Sequence, residues 1–357
     1  MKRIAIIISG FSHGGAEYSI YNTLPEFDKD NSVVIYILQN LDKEIVIPSL
    51  KNVEIRRLNA TSLKDLASFY QLYKSLNDFD LIFSHLIWAQ YWTGLFGIFN
   101  KSIRKKVIWV EHNVYINRTR VEWRVLGFLG RFVNKIIAVS DEVSLFLFEK
   151  TQLKSEIIYN AITVPNNGVR VNEANSKHIN IAIYGRLVSQ KNPILGVNSF
   201  LLLKEKLNLP LNLTLNVIGN GPLKNSLVSQ YSGYPDIKFF EYQDRDSALN
   251  KLASCDIFLS SSIYEGFPLA RMEALKLGLC VISTRTAGYN YLLRYYKSDL
   301  NMKAAGVYFV ESNSKALMGA IQELLGEKYH SAIAKKRRVA CVNDFSPSAV
   351  ARKYLSI

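Results

Sequence analysis

Residues 164–178 read VPNNGVRVNEANSKH and residues 180–186 read NIAIYGR. The first stretch carries Pro165, Gly168 and four asparagines, so neither a helical nor a strand period survives in it and it predicts a linker. The second is a short apolar run that stops at a glycine, the form of a strand buried on both faces. Upstream of the break, runs of the same kind recur at Ile4–Ser9, Ser32–Leu38, Val53–Leu58, Leu81–Ser84, Lys106–Val110 and Lys135–Val139. Downstream they resume at Asn180–Tyr184, Leu213–Ile218, Ile237–Glu241, Ile257–Ser260 and Leu279–Ser283. Helix-length segments separate most of them. Strand and helix alternating on both sides of one break predict an α/β chain of two Rossmann-like, doubly wound domains. The first covers residues 1–163 and the second 164–344. Ligands of such sheets bind beyond the carboxyl ends of the strands, so the site residues are sought there, in a cleft where two such domains face one another.

The 357 residues, 48% hydrophobic and 21% charged, suffice for two cores and exclude disorder. A formal charge of +14 asks for anionic company: a nucleotide, a nucleic acid or an acidic membrane face. Three cysteines without C-x-x-C spacing support neither a disulfide framework nor a thiolate zinc site and fit a reducing compartment, so the chain reads as cytoplasmic. The apolar N-terminus is too short for a signal peptide. Leu81–Phe99 is nineteen residues without a formal charge, but its polar residues and its split into a strand and a helix argue against a membrane span.

The motifs sit at strand ends. Gly10-Phe11-Ser12-His13-Gly14-Gly15-Ala16-Glu17 opens a helix after the first strand, and its glycines let backbone N–H groups approach an anion. It lacks the Lys-Ser/Thr of a phosphate loop and the dinucleotide fingerprint. The same residues match G-x-S-x-G, the nucleophile elbow of serine hydrolases, which keeps a hydrolase with Ser12 as nucleophile as an alternative. A non-catalytic nucleotide-sugar-binding protein is the other alternative. In the second half Gly185-Arg186-Leu187 leads to Lys191, a guanidinium and an ammonium at a helix start, suited to a diphosphate. Taken singly they also fit a solvated charge pair. Gly219-Asn220-Gly221-Pro222 ends a further strand. The segment Tyr264-Glu265-Gly266-Phe267-Pro268-Leu269-Ala270-Arg271-Met272-Glu273-Ala274 places Glu265 on the turn before a helix and Glu273 inside it, two carboxylates able to accept sugar hydroxyls.

In this order, GGAE, EHN at residues 111–113, GRL-x3-K, G-x-G-P and EGFPLARMEAL, the chain resembles the group 1, or family-four, retaining glycosyltransferases. The resemblance implies the GT-B architecture, with residues 345–357 forming a helix that packs back onto the first domain. It implies transfer of a hexose from a nucleotide-sugar donor, a UDP-sugar such as UDP-Gal, UDP-GalNAc or UDP-Glc, and with Arg186 and Lys191 available to neutralise the leaving diphosphate the transfer is expected to be metal-independent. The implied acceptor is a lipid-linked glycan in O-antigen or capsule biosynthesis. The nucleotide-sugar is a co-substrate, and no cofactor is implied.

Residue by residue, Gly14 and Gly15 would lie beside the donor diphosphate and acceptor, and His112 beside the donor sugar. Arg186 and Lys191 would hold the diphosphate, next to Gly185, Gly219 and Gly221. Glu265 would bind sugar hydroxyls, with the Gly266, Phe267 and Leu269 backbone nearby, and Glu273 would bind the ribose. The base would lie against Phe240–Tyr242. Catalysis would fall to His112, Glu265, Arg186 and Lys191. The chain departs from the family at Glu241, at Asn290-Tyr291-Leu292 and at Pro268, which has no N–H to offer.

Three D-x-D pairs, at residues 28–30, 78–80 and 244–246, read as turns or helix caps, so no metal is expected. Basic residues disperse rather than form one aromatic-interleaved face, which speaks against nucleic acid. Within 118–135, Val121, Val125, Phe128, Leu129 and Phe132 form one helical stripe flanked by Arg118, Arg120, Arg124 and Arg131. That pattern fits either a scaffold helix with a solvated basic face or one lying on an anionic membrane surface, peripheral on the inner face of the cytoplasmic membrane.

Overall fold

The run RIAIII of β1 (Arg3–Ile8) pairs in parallel on both edges, and its residues 4–8 are at most 1% exposed. Burial on both faces requires helices above and below, which is why these strands read as continuous apolar runs and not as an alternation. In the computed structural model, which describes all residues except 13, 41–44, 48, 115–117, 166–177, 207–211, 243 and 327–331, the chain forms two units. Unit 1 is Met1–Ile162 with Phe345–Ile357, and unit 2 is Thr163–Asp344. Most of the 164–178 linker therefore lies outside the described residues.

Unit 1 continues through α1 (Gly15–Asp28), β2 (Ser32–Ile37), β3 (Val53–Arg57), α2 (Leu66–Ser75), β4 (Leu81–His85), α3 (Ile87–Phe99) and the short α4 (Lys101–Arg104). It closes with β5 (Val107–Glu111), α5 (Arg120–Leu129), β6 (Lys135–Ala138), α6 (Asp141–Thr151) and β7 (Glu156–Ile157). The strand order is β3-β2-β1-β4-β5-β6-β7. Polar residues start the helices: Asp65 caps α2, Ser140 caps α6, and Thr119 with Glu122 forms a capping box on α5. Trp92 and Trp109 fill the core, and the Trp109 indole donates to Thr93 Oγ1 at 3.0 Å.

Unit 2 runs β8 (His178–Tyr184), α7 (Pro193–Lys206), β9 (Asn212–Ile218), α8 (Lys224–Tyr231), β10 (Ile237–Phe240), α9 (Arg245–Ala253), β11 (Ile257–Ser260) and α10 (Leu269–Lys276). Then come β12 (Cys280–Thr284), α11 (Tyr289–Tyr296), α12 (Asp299–Ala304), β13 (Val307–Val310), α13 (Ser314–Gly326) and α14 (Ala332–Ala340). The order is β10-β9-β8-β11-β12-β13. The last helix, α15 (Pro347–Leu355), belongs to unit 1, where Tyr354 packs edge-on against Phe27 of α1 and Phe83 of β4. The strand order of each sheet reverses once, at β1/β4 and at β8/β11, and these switch points are where ligands of doubly wound sheets bind.

Several expectations change in detail. β7, two residues long, and β13, four residues long, carry too little pattern to be read from sequence. Leu81–Phe99 resolves into β4, a turn at Leu86 and the thirteen residues of α3, and among the described residues no helix is long and apolar enough to cross a membrane. The segment 118–135 is not one helix: α5 spans ten residues, a 3-10 turn at Gly130–Phe132 follows, and β6 begins at Lys135. Leu129 turns into the core at 4% exposure and leaves the apolar stripe. Arg118 is buried as well, stacked 4.8 Å over the Trp123 ring with its guanidinium 4.0 Å from Glu111, and so is no surface cation.

Candidate active site

In unit 2 the loops after β8 and β11, neighbours at the switch point, are stitched together. Ser261 Oγ donates to the carbonyl of Asn192 at 2.7 Å, Gln190 Nε2 to that of Tyr264 at 2.9 Å, and the Ile263 N–H to that of Gln190 at 2.8 Å. This scaffold brings Lys191 and Glu265, 74 residues apart, into an ion pair of 2.6 Å, Nζ to Oε1. Ser262 Oγ donates to the same oxygen at 2.7 Å. The Glu265 side chain is 6% exposed and that of Lys191 23%, so the carboxylate is buried and the ammonium reaches towards solvent. Arg186 is exposed nearby in sequence, two residues after β8.

Gly185 holds a φ of +133°, and a Cβ there would meet nothing within 4 Å, so the space in front of the β8 end is clear. Gly219 and Gly221 are glycines for a different reason. Their φ values are +147° and +154°, and a Cβ would stand 2.0 Å from the Gly185 carbonyl oxygen and 2.5 Å from that of Leu187. They allow the loops after β8 and β9 to touch, rather than leaving room for a ligand.

Glu273 lies on α10, 2% exposed, and pairs with the Arg245 guanidinium. Arg245 went unnoticed in the sequence, hidden inside a D-x-D pair. Arg271, fully buried, donates to the Ala287 carbonyl at 2.8 Å and braces the loop before α11. Gly266 and Phe267 are buried at the head of α10. The Leu269 N–H is committed to the Phe267 carbonyl at 2.9 Å, and Pro268 has no N–H to offer. Phe240 and Tyr242 lie nearly parallel, 6.5 Å apart, with Lys251 Nζ 4.2 Å over the Phe240 ring. The departure at Glu241 is accounted for: its carboxylate accepts from Asn220 and Lys224 and so ties this loop to that after β9.

In unit 1, Gly14 is the N-cap of α1 and Gly15 its exposed first residue. A Cβ on Gly14 would stand 2.3 Å from the Glu17 carboxylate, which accepts the Ser12 hydroxyl at 3.0 Å. A carboxylate therefore already occupies this helix N-terminus, which suits a neutral hydroxyl better than a diphosphate. Ser12 is engaged with Glu17, and His13 lies outside the described residues. His112, directly after β5, is 4% exposed, and its Nε2 is 2.8 Å from Nδ1 of His85 at the end of β4. Burial lowers the His112 pKa to about 3, and burial, helped by the neighbouring His112, holds that of His85 well below its ordinary value, so both rings are neutral. Burial raises the Glu111 carboxyl, against the opposing pull of Arg118.

The D-x-D carboxylates have structural work: Asp28 accepts from the Asn52 N–H at 2.6 Å, Asp80 from that of Arg3 at 2.7 Å, and Asp244 caps α9. Among the described residues no group of three or more His, Cys, Asp or Glu could hold a metal ion.

Residues 13–164 match the Glycosyltransferase Family 4 domain and residues 167–340 the Glycosyl transferases group 1 domain. The UDP-Gal:alpha-D-GlcNAc-diphosphoundecaprenol alpha-1,3-galactosyltransferase of Escherichia coli is 23% identical over 314 residues, covering 81% of this chain and 78% of that protein. The O-antigen biosynthesis glycosyltransferase WclY of Escherichia coli is 22% identical over 369 residues, 99% and 97% of the two chains. Among solved structures, Anabaena Alr3699/HepE with UDP-glucose superposes with a TM-score of 0.75 at 17% identity, covering 100% of this chain and 99% of that one. Two Rossmann-like units, with strand-end loops carrying the GRL-x3-K and EGF motifs, and the paired domain matches lead to one assignment: the chain belongs to the group 1, family-four glycosyltransferases of GT-B fold.

Proposed function

We propose that the protein is a retaining hexosyltransferase that moves a sugar from a UDP-sugar, UDP-Gal, UDP-GalNAc or UDP-Glc, onto a lipid-linked oligosaccharide in surface polysaccharide assembly. The observation that carries this reading is the Lys191–Glu265 pair at the β8/β11 switch point, with Lys191 on the loop that also carries the exposed Arg186. A cation suited to a leaving diphosphate and a carboxylate suited to sugar hydroxyls stand within one hydrogen bond of each other, which supports a role for both at the bond to be broken. Arg186 and Lys191 stabilise the charge that grows on the leaving diphosphate, so no metal is required. Glu265 holds the sugar, Glu273 takes the ribose when Arg245 yields it, and Phe240–Tyr242 lie against the base; for His112 of unit 1 a role at the sugar is carried by the family resemblance alone. The relatives named for O-antigen and undecaprenol-linked substrates support the acceptor class. The retaining outcome is carried by the family resemblance.

An anionic membrane surface, on the cytoplasmic face, is the proposed place of work. α5 buries Trp123, Leu126 and Leu129 and yet leaves Val121, Val125 and Phe128 at 67%, 42% and 53% exposure, among exposed Arg120, Arg124 and Arg131. Beside it an apolar groove of about 540 Å³ runs between α3 and α5, lined by Tyr91, Leu95, Ile98, Arg124 and Phe128 among others. Apolar side chains among arginines suit the boundary between acyl chains and anionic headgroups. The test is release of UDP from a panel of nucleotide-sugars with a lipid-linked acceptor. Wild type should turn over one of them and Arg186→Ala should lose most of that rate. Absence of turnover with every donor would remove the assignment.

A further inference from the structure

His85 belongs to no motif of the family reading, yet its ring lies against that of His112, with centroids 5.1 Å apart at 29° and one short nitrogen-to-nitrogen contact of 2.8 Å. Both side chains are at most 5% exposed. Two neutral imidazoles at this distance share one hydrogen, and the choice of owner decides the chemistry of the far side of His112. If His85 Nδ1 carries it and donates, His112 Nε2 accepts, and the His112 proton resides on Nδ1. If His112 Nε2 carries it, Nδ1 is a bare acceptor. Among the described residues Nδ1 of His112 is buried with no partner, so it is the atom left for a ligand.

The other side of His85 makes the choice. Its ring lines a small internal cavity together with Ser19, Thr23 and Tyr354, walled by Ile6, Ile20, Phe27 and Phe83. The Ser19 hydroxyl proton goes to Asn160 Oδ1 at 2.8 Å, and that of Thr23 to main-chain carbonyls at 3.0 Å. The Tyr354 hydroxyl, fully enclosed, has no partner among the described residues. A buried donor without an acceptor costs more than a buried lone pair without a donor. The strongest acceptor this cavity can offer is an unprotonated His85 Nε2, reached through one water, since among the described residues no acceptor stands within direct reach of the hydroxyl. A bare Nε2 puts the His85 proton on Nδ1.

We propose that His85, backed by Tyr354, is a positioning residue that holds His112 as the Nδ1–H tautomer, a fixed hydrogen-bond donor toward the sugar of the donor substrate. The direction of donation runs Tyr354, His85, His112, substrate. The sugar as recipient rests on the functional reading above; the tautomer does not.

The experiment is nitrogen NMR of histidine-labelled protein without ligand, which is tractable because the chain has five histidines. His112 should show a protonated Nδ1 and a bare Nε2, and His85→Leu should abolish that preference. A protonated Nε2 on His112 in wild type, or an unchanged tautomer in His85→Leu, overturns the proposal. In turnover assays His85→Leu should lower kcat roughly ten- to a hundredfold, the loss seen when the outer partner of a metal-bound imidazole is removed. UDP affinity should stay within about twofold, since the diphosphate groups are untouched. His85→Asn, whose amide N–H can stand where Nδ1–H stood, should recover most of the rate; a rate equal to that of His85→Leu counts against a donor at this position. Full turnover in His112→Leu would instead sink the sugar reading and leave the tautomer result standing.

Discussion

Glu265→Gln should make free UDP bind more tightly while transfer fails. In the structure the Lys191 ammonium is spent on the Glu265 carboxylate at 2.6 Å. A diphosphate oxygen seated about 2.8 Å from the ammonium would lie about 5 Å from that carboxylate, a separation set by hydrogen-bond lengths. Repulsion between unit charges at about 5 Å is about 0.8 kcal/mol in water and about 3.3 kcal/mol at an effective dielectric constant of 20. The lysine is 23% exposed, which favours the lower part of that span. Removing the negative charge should therefore strengthen UDP binding by about 1–2 kcal/mol, or roughly 5- to 30-fold. Titration calorimetry of wild type, Glu265→Gln and Lys191→Met reads this directly, with Lys191→Met moving in the opposite direction. The sugar loses its ionised acceptor in Glu265→Gln, so kcat should fall. UDP affinity that is unchanged or weaker in Glu265→Gln would show that the carboxylate does not compete with the diphosphate for Lys191.

Arg186→Ala should weaken UDP and slow transfer together, and excess EDTA should leave wild-type rates intact; a magnesium-reversible loss would put a metal where we place two cations. Gly219→Ala should destabilise the protein by roughly 2–4 kcal/mol in urea titrations, since φ of +147° and a contact of 2.0 Å both oppose a Cβ. Both His85 and His112 have folded pKa values below the unfolded value, so the unfolded chain binds more protons as pH falls. Their contribution is complete above about pH 6.5 and is lost below it, by about 1 kcal/mol per histidine between pH 6.5 and 5.5. Urea midpoints should follow, with His85→Asn losing about half as much as wild type; a flat profile would mean that the rings are not buried neutral.

The sheets were legible because parallel strands buried on both faces are continuous Ile and Val runs, and because one Asn- and Pro-rich break separates two sets of them. The positions of Lys191, Glu265 and Glu273 followed from motif order. Their partners did not. Glu265 meets Lys191 across 74 residues, Glu273 meets Arg245 across 28, and His112 meets His85 across 27. No periodicity spans such gaps; only the strand order brings them together. The α5 stripe failed for another reason. Helical spacing states which residues share a face, but the sequence does not state which face the fold consumes, and so Leu129 and Arg118 were placed outside. Glu17 was passed over because a carboxylate one turn into a helix is commonplace.

Transfer from a nucleotide-sugar with retention and without metal has one decisive readout. The direct measurement is the anomeric configuration of the product, read by proton NMR after reaction of an α-linked UDP-hexose with a lipid-linked acceptor in EDTA. The prediction is a new α-linkage formed with release of UDP. A β-linkage would contradict retention, and UDP release that occurs only after magnesium is restored would contradict a site in which Arg186 and Lys191 alone carry the leaving diphosphate.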